Sequence, residues 1–438
     1  MGNYIPSTEK DTKEMLATVG IDSLDGLFVD VPDEIKIADL DIPKGLSELE
    51  VFETMGAIAA KNKVFKSIFR GAGAYNHYIP AIVKSVTSKE EFLTAYTPYQ
   101  AEISQGVLQS IFEYQTMICE LTGMRVSNAS VYDGASAAAE AVAMCVDKKR
   151  NKAIISGAVH PMVIETVKTY CFGRGTEFIV IPPANGATDV EALGRALDDT
   201  AACVIISQPG YYGIIEDAAA IGELVHGAGA KFIMHVNPIA QSVLKSAGEC
   251  GADVAVGEGQ PLGMPLSFGG PYLGFMAATD AMIRKLPGRI VGETKDLDGK
   301  RGFVLTLQAR EQHIRREKAS SNICSNQALC ALTAAVYMAA MGAHGIKQAA
   351  NLCVSKAHYA AQKLCEIKGV EMVYGGEFFH EFVTTSPIDS AEIMRGLESR
   401  DILGGLPLDD GNILWCVTES NSKAQIDELC RAVAEVCK

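Results

Sequence analysis

Five short segments carry side chains and turns suited to holding a small charged molecule. Asp133-Gly-Ala-Ser136 sets a small-residue turn before an alanine-rich run. A helix starting there offers unpaired N–H groups and a positive dipole end to a phosphate or carboxylate, although a simple capped helix explains the same residues. His160-Pro161, the turn Ser207-Gln-Pro-Gly-Tyr-Tyr-Gly213, His235-Val-Asn-Pro238 and the glycine-rich stretch Gly257 to Pro271 follow. Histidine titrates near neutrality, so His77, His160 and His235 could move protons, but a lone histidine in apolar surroundings is more often a hydrogen-bonded core residue.

Two further stretches are polar in a different way. Tyr96-Thr-Pro-Tyr-Gln-Ala-Glu102 combines two phenols, an amide and a carboxylate behind a backbone restrained by Pro98, which suits a small zwitterion. The competing reading is a solvated loop with Tyr99 packed beneath it. Arg310, Arg315, Arg316 and Lys318 form a positive field against Glu311 and Glu317, able to hold a carboxylate or phosphate. Here the competing reading is ion pairing at a subunit interface.

The elements that must position these groups follow from hydrophobic pattern. Apolar runs at Ala153–Ser156, Glu177–Ile181, Ala202–Ser207, Lys231–Val236, Asp253–Val256 and Tyr272–Ala277 alternate with helical stretches such as Val190–Leu197 and Ala219–His226. Strands apolar throughout and joined by helices predict a mostly parallel sheet covered on both faces. Ligands of such sheets lie beyond the carboxyl ends of the strands, where the four segments from His160 onward fall. A helix over Ala328–Ile346 precedes a smaller unit with strands at Val370–Val373, Glu381–Thr384 and Ile413–Val417 and helices at Ser390–Arg400 and Ser422–Cys437. The first segment, capped by Ser7 or Thr8 and broken at Gly20, predicts a helical arm lying over another surface. The expected division is an arm over residues 1–62, a large α/β domain over 63–318 and a small C-terminal α/β domain over 319–438.

Composition bounds the function. The 438 residues are 48% hydrophobic and 21% charged, the profile of a globular protein of enzyme size. A formal charge of −14 disfavours nucleic acid and anionic membranes as partners. The 12 cysteines are scattered without a CxxC, so they read as buried, reduced thiols of a cytoplasmic protein and no metal site is expected. Met1 to Pro6 show no export leader or lipid-anchor signal, and the uncharged Ala328–Ile346 stretch is too rich in Ala and Gly for a membrane span.

In this order the motifs resemble one family. Gly71-Ala-Gly-Ala-Tyr-Asn-His-Tyr-Ile-Pro80, Tyr96 to Gly106, Asn128-Ala-Ser-Val-Tyr-Asp-Gly134 and Gln308 to Cys324 are similar to the glycine cleavage system P-protein, within the pyridoxal-phosphate fold type I enzymes, and nearest to the alpha chains (subunit 1) of its two-chain form. The resemblance covers nearly the whole chain. It implies a fold type I, aminotransferase-like α/β architecture and membership of a complex, expected as a heterotetramer with a beta subunit (subunit 2). That complex decarboxylates glycine with pyridoxal phosphate and passes the aminomethyl group to the lipoyl arm of the H-protein.

Fold type I chemistry needs a lysine for the cofactor and an Asp beside its pyridine nitrogen. No lysine lies between Lys245 and Lys285, Gly259 or Gln260 stands where it is expected, and Asn237 replaces the Asp. The resemblance therefore implies a chain without its own cofactor, supporting a site on the beta chain. The expected support residues are Tyr96, Tyr99, Glu102 and Arg310, with Ser320 and Ser321 directed to the partner's cofactor phosphate. Two alternatives remain. One is an independent pyridoxal enzyme, of aminotransferase or cysteine desulfurase type, for which Lys245, two turns into a helix, is a poor candidate. The other is a purely structural partner subunit.

Overall fold

The computed structural model describes residues 7–37, 40–267 and 270–438. Readings that fall on Met1–Pro6 and on Phe268–Gly269 lie outside the described residues. Contacts divide the chain into one unit ending at Lys63 and a second running from Val64 to Lys438.

The first unit holds two capped helices. Glu9–Val19 starts with a reciprocal capping box between Thr8 and Asp11 and stops at Gly20, whose φ of 85° suits glycine. Glu48–Ala59 starts with the same device between Ser47 and Glu50. Neither helix buries a residue, and Phe52 is 79% exposed.

The second unit is built on a seven-stranded sheet. Its strands are β1 (Val126–Ser127), β2 (Lys152–Ser156), β3 (Glu177–Ile181), β4 (Ala201–Gln208), β5 (Lys231–Val236), β6 (Val254–Glu258) and β7 (Gly274–Ala278). Their spatial order is β1-β7-β6-β5-β4-β2-β3. The five strands from β6 to β3 are parallel, whereas β7 is antiparallel to both its neighbours, β6 and the edge strand β1. Every residue of β4 is buried, as expected for a central strand with both faces covered.

Strand alternation explains why the sheet has two cores. Ile154, Val204, Ile206, Phe232 and Met234 pack on one face with Tyr114, Ile118 and Tyr337. Ile155, Cys203, Ile205, Ile233 and Val256 point the other way, onto Ala137, Ala141 and Val163. The helix Gly134–Cys145 approaches this second face closely because Gly134, Ala137, Ala138, Ala139 and Ala141 are among its buried residues.

A third core is C-terminal. Strands Glu381–Thr384, Ile413–Cys416 and Leu406–Pro407 form a three-stranded antiparallel sheet under the helices Ser390–Glu398 and Lys423–Val436. Trp415 lies at its centre and donates its indole N–H to Thr384 Oγ1 at 2.9 Å. Phe69 joins this core, and Ser67–Ile68 pair with Ile402–Leu403, so the chain after the arm is tied to its own C-terminal part.

Several expectations need correction. Val370–Val373 is not a strand; only Met372 bridges Thr384, while Val370 serves the C-terminal core. The helix predicted to end at Ile346 continues to Leu364, interrupted at Gly342 by φ 59°, ψ 174°. It is the one described helix long and apolar enough to cross a membrane, but Ala331, Ala334, Tyr337 and Ala350 are buried in the sheet core. Lys245 is not inside a helix, since only a short turn at Ala240–Ser242 precedes it. All 12 cysteines are free thiols, but against the expectation of burial Cys324 is exposed and Cys119, Cys365, Cys430 and Cys437 are half-buried.

Candidate functional site

The carboxyl ends of the parallel strands open on a cavity of about 300 Å³. Its walls come from the loop 72–75, the start of the helix Gly134–Cys145, His160, the Ser207–Tyr211 turn, His235 to Pro238, Glu258, Tyr272, His380 and Glu381. All five segments singled out in the sequence therefore meet here, joined by a glycine loop and two residues from the C-terminal sheet region.

The helix start is already occupied by the chain's own carboxylates. Asp133 caps it by accepting the Ser136 N–H at 2.7 Å. Glu258, at the end of β6, accepts the N–H groups of Gly134, Gln260 and Leu273, each at 3.0 Å. Burial pushes the Glu258 carboxyl up to about 7 in spite of those donors. Gly134 is required at this contact, because a Cβ there would lie 2.7 Å from the Glu258 nitrogen.

Of Gly259 and Gln260, the two residues expected where a lysine would stand, Gln260 is 1% exposed. Its side-chain amide pairs with the Tyr75 backbone in both directions, accepting from N and donating to O at 2.9 Å, and also donates to Met264 O at 2.8 Å. The Asn237 oxygen accepts the N–H groups of Ile239 and Ala240 at 2.9 and 3.1 Å, while its nitrogen faces His380 Nε2 at 3.4 Å.

The glycine loop is fastened from both sides. Glu381 accepts from Ala72 N at 2.6 Å and from the Tyr75 hydroxyl at 2.8 Å, and burial lifts its carboxyl to about 7. His160 donates from Nε2 to Ala72 O at 2.8 Å and accepts the Met162 N–H on Nδ1 at 3.1 Å, which assigns one neutral tautomer. Burial lowers His160, and lowers His235 to about 4, so neither ring is charged at neutral pH. His235 Nε2 and His380 Nδ1 are buried without a hydrogen-bond partner.

This donor set does not fit a phosphorylated pyridine aldehyde held through lysine. Neither Lys nor Arg lines the cavity, the helix-start N–H groups of Gly134 and Ser136 are spent on carboxylates, and Asn237 uses its oxygen on the backbone.

The predicted support residues are elsewhere, and none lines this cavity. Tyr96 is 97% exposed and Glu102 is exposed. Tyr99 is packed, as the competing reading had it: its hydroxyl donates to Asn326 Oδ1 and the Arg289 guanidinium lies 5.2 Å from its ring centroid. Arg289 in turn pairs with the buried Glu311 at 2.6 Å. Arg310 is half-buried and donates to Gly288 O at 2.7 Å. The carbonyl of Ser320 accepts from Arg174 at 2.6 Å, and Ser321 Oγ accepts the Ile323 N–H at 3.1 Å. A separate cleft brings together Arg289, Glu311, His313, Arg316 and Cys324. Thus Tyr99, Arg289 and Glu311 form one cluster, while Tyr96, Glu102, Ser320 and Ser321 are not brought to the strand-end cavity.

Sequence reading missed Tyr75 and Glu381 as cavity residues. Tyr75 lies inside a motif singled out for another reason, but Glu381 sits in an ordinary strand and gives no local signal. His77, expected as a proton carrier or core residue, bonds Glu419 through Nδ1 at 2.7 Å; Cys353 also donates to that carboxylate, at 3.2 Å. Among the described residues these three are the one group spaced to hold a metal ion, and their mutual hydrogen bonds already account for the arrangement.

The family model for the glycine cleavage system P-protein matches residues 2–433. The chain belongs to the glycine cleavage system P-protein family. A relative from Desulfitobacterium hafniense, named "Probable glycine dehydrogenase (decarboxylating) subunit 1", is 48% identical over 444 residues, covering 99% of this chain and 100% of its own. A protein of the same name from Desulforamulus reducens is 50% identical over 436 residues, covering 97% and 98% of the two chains. A crystal structure of glycine decarboxylase (P-protein) in inhibitor-bound form superposes with a TM-score of 0.93 at 41% identity, covering 99% of this chain and 100% of that one. A sphingosine-1-phosphate lyase from Burkholderia pseudomallei shares the fold alone, at TM-score 0.67 and 13% identity, covering 92% of this chain and 93% of its own. With these likenesses the fold is that of the pyridoxal-phosphate fold type I enzymes, and the P-protein chain described here is an enzyme subunit of glycine cleavage.

Proposed function

We propose that this chain is the subunit of a two-chain glycine dehydrogenase (decarboxylating) that does not carry the cofactor. It works beside a homologous subunit 2 that binds pyridoxal phosphate. The complex releases the glycine carboxylate as CO2 and transfers the aminomethyl group to the lipoyl arm of the H-protein, opening the lipoyl disulfide. Pyridoxal phosphate supplies the electron sink for decarboxylation where it is bound. The observation that carries this reading is Gln260 locked to Tyr75 where a Schiff-base lysine is needed, beside Glu258 on the helix start.

Tyr96, Tyr99, Glu102 and Arg310, with Ser320 and Ser321, support the partner's site in trans in this proposal. In favour, Tyr96 and Glu102 expose polar groups, and Tyr99 stands on a rigid Asn326 and Arg289 base. The arm, residues 1–62, contributes two helices with no buried residue, the second exposing Leu49, Phe52 and Met55, which suits docking on a partner subunit. In this proposal residues 63–318 form the large domain and 319–438 the small one, with Phe69 and the first half of the helix Ala328–Leu364 packing across that boundary. A cytoplasmic setting agrees with the free thiols.

The test is exchange of the glycine carboxyl group with labelled CO2, in the presence of lipoylated H-protein and pyridoxal phosphate. This chain alone is expected to be inactive and its mixture with subunit 2 active. Exchange by the lone chain would overturn the proposal.

A further inference from the structure

Behind the exposed loop 96–102 the chain builds a hub from Pro287, Gly288 and Arg289, which lie outside every motif read in the sequence. Three successive carbonyls there each hold a different part of the structure. Pro287 O accepts the side-chain amide of Asn128 at 2.9 Å, Gly288 O accepts the Arg310 guanidinium at 2.7 Å and Arg289 O accepts the Ala129 N–H at 2.8 Å. Gly288 has φ +76°, which glycine adopts at little cost. The hub is thus fixed to the segment that follows β1, and it holds Arg310 in its turn.

The Arg289 side chain joins the two halves of the proposed supporting surface. Its Nη1 donates to Glu311 Oε2 at 2.6 Å, and its guanidinium carbon lies 5.2 Å from the centroid of the Tyr99 ring. The Tyr99 hydroxyl is held at its far end by Asn326 Oδ1. Arg289 Nε and Glu311 Oε1 are buried without hydrogen-bond partners, so the orientation of each side chain depends on the other. A planar guanidinium that pairs with a carboxylate and lies over a ring sets both in one geometry, which a flexible ammonium does not.

We propose that Arg289 and Glu311 are positioning residues for glycine decarboxylation by the assembled enzyme. Glu311 orients Arg289, and Arg289 holds the Tyr99 ring, and with it the loop 96–102, in fixed register with the segment from Arg310. Both act through Tyr99 rather than by touching substrate. The inference rests on the reading that this surface supports the site of subunit 2 in trans.

The test measures exchange of the glycine carboxyl with labelled CO2 in the complex reconstituted from this chain, subunit 2, lipoylated H-protein and pyridoxal phosphate, with turnover expressed per cofactor bound. Arg289→Lys keeps the positive charge beside Glu311 and loses the guanidinium plane. It is expected to lower kcat about tenfold while changing the KM for glycine by less than about twofold. In a chain that already carries Tyr99→Leu, the same substitution is expected to lower kcat by less than about twofold further, because residues that act as a unit are not additive. A pair that only stabilises the fold would lower the melting temperature or the yield of complex and leave kcat per bound cofactor unchanged, and that result would overturn the inference. A full tenfold loss in the Tyr99→Leu chain would overturn it as well, since Arg289 would then act by another route. Where Arg289→Lys fails to assemble, Glu311→Gln, which keeps the size and an acceptor oxygen, is read by the same measure. Failure of both variants to assemble would assign the pair to folding and overturn the inference. No exchange by the wild-type mixture would overturn the reading on which the inference rests, whereas wild-type exchange with unchanged kcat in both variants would overturn the inference alone.

Discussion

The strand-end cavity and the surface formed by 96–102 and 310–321 are both polar, yet they are built in opposite ways. Around the cavity, the chain spends its own groups on itself: Glu258 takes three backbone N–H groups, Gln260 clamps Tyr75 and Glu381 holds the glycine loop. On the second surface Tyr96, Glu102 and Arg316 face solvent, while Tyr99, Arg289 and Glu311 form a fixed base behind them. The contrast is what the proposed division of labour between two subunits requires. In that proposal internal carboxylates on the anion-binding donors close the chain's own site, whereas exposed polar groups on a fixed base are left for a neighbour.

The largest expected effect lies at the cavity. Gly213 has φ +89°, and a Cβ there would stand 1.9 Å from the Glu381 carbonyl oxygen. Gly213→Ala should cost about 4 kcal/mol or more, or prevent folding, as read by urea denaturation. A small effect would mean that the Glu381 side of the cavity is loosely held.

Next comes pH. Glu258 and Glu381 both have carboxyls raised by burial to about 7 in the folded chain, against an ordinary glutamate value of about 4.3. Between those values the folded state binds more protons than the unfolded one, so stability falls as pH rises through this window, by something on the order of 3 kcal/mol per group. Urea denaturation across the window should show this slope, and Glu258→Gln or Glu381→Gln should flatten it. A wild-type stability that rises with pH over the same range would contradict the buried, tightly partnered cavity.

How much of this was legible beforehand differs by level. The parallel strands could be read because buried strands are apolar without interruption, and β4 is the plain case. The helix through Leu364 was cut short because Lys347, Gln348 and Asn351 change its composition while its period continues, and Val370–Val373 has strand-like residues that pack into a core without pairing. At the site, Asn237 and Gln260 were legible as departures from what a cofactor needs. The contacts of Glu258 with Gly134 and Glu381 with Tyr75 were not, since they span 124 and 306 positions and exist only through the crossover topology.

Substitutions on the second surface sharpen the comparison at smaller scale. Tyr96→Ala and Glu102→Ala should change the stability of this chain by less than about 0.5 kcal/mol, because both residues are exposed. Each should nevertheless lower turnover of the assembled complex by about tenfold, equivalent to roughly 1.4 kcal/mol. Arg310→Ala should lower turnover similarly but with a measurable stability loss through Gly288. Full turnover with intact assembly in all three would favour the purely structural partner. The smallest expected effect is Gly106→Ala, in the helix that follows this loop. A Cβ there meets nothing within 4 Å, so the change should stabilise by about 0.5 kcal/mol or slightly more.

The central claim is that the cofactor lysine belongs to the partner because Gln260 and Glu258 close the equivalent place here. Borohydride reduction of the assembled, pyridoxal phosphate-loaded complex, followed by mass spectrometry of each chain, tests it most directly. The account predicts a phosphopyridoxyl-lysine on subunit 2 and none on this chain. A labelled lysine in this chain at cofactor stoichiometry would contradict it.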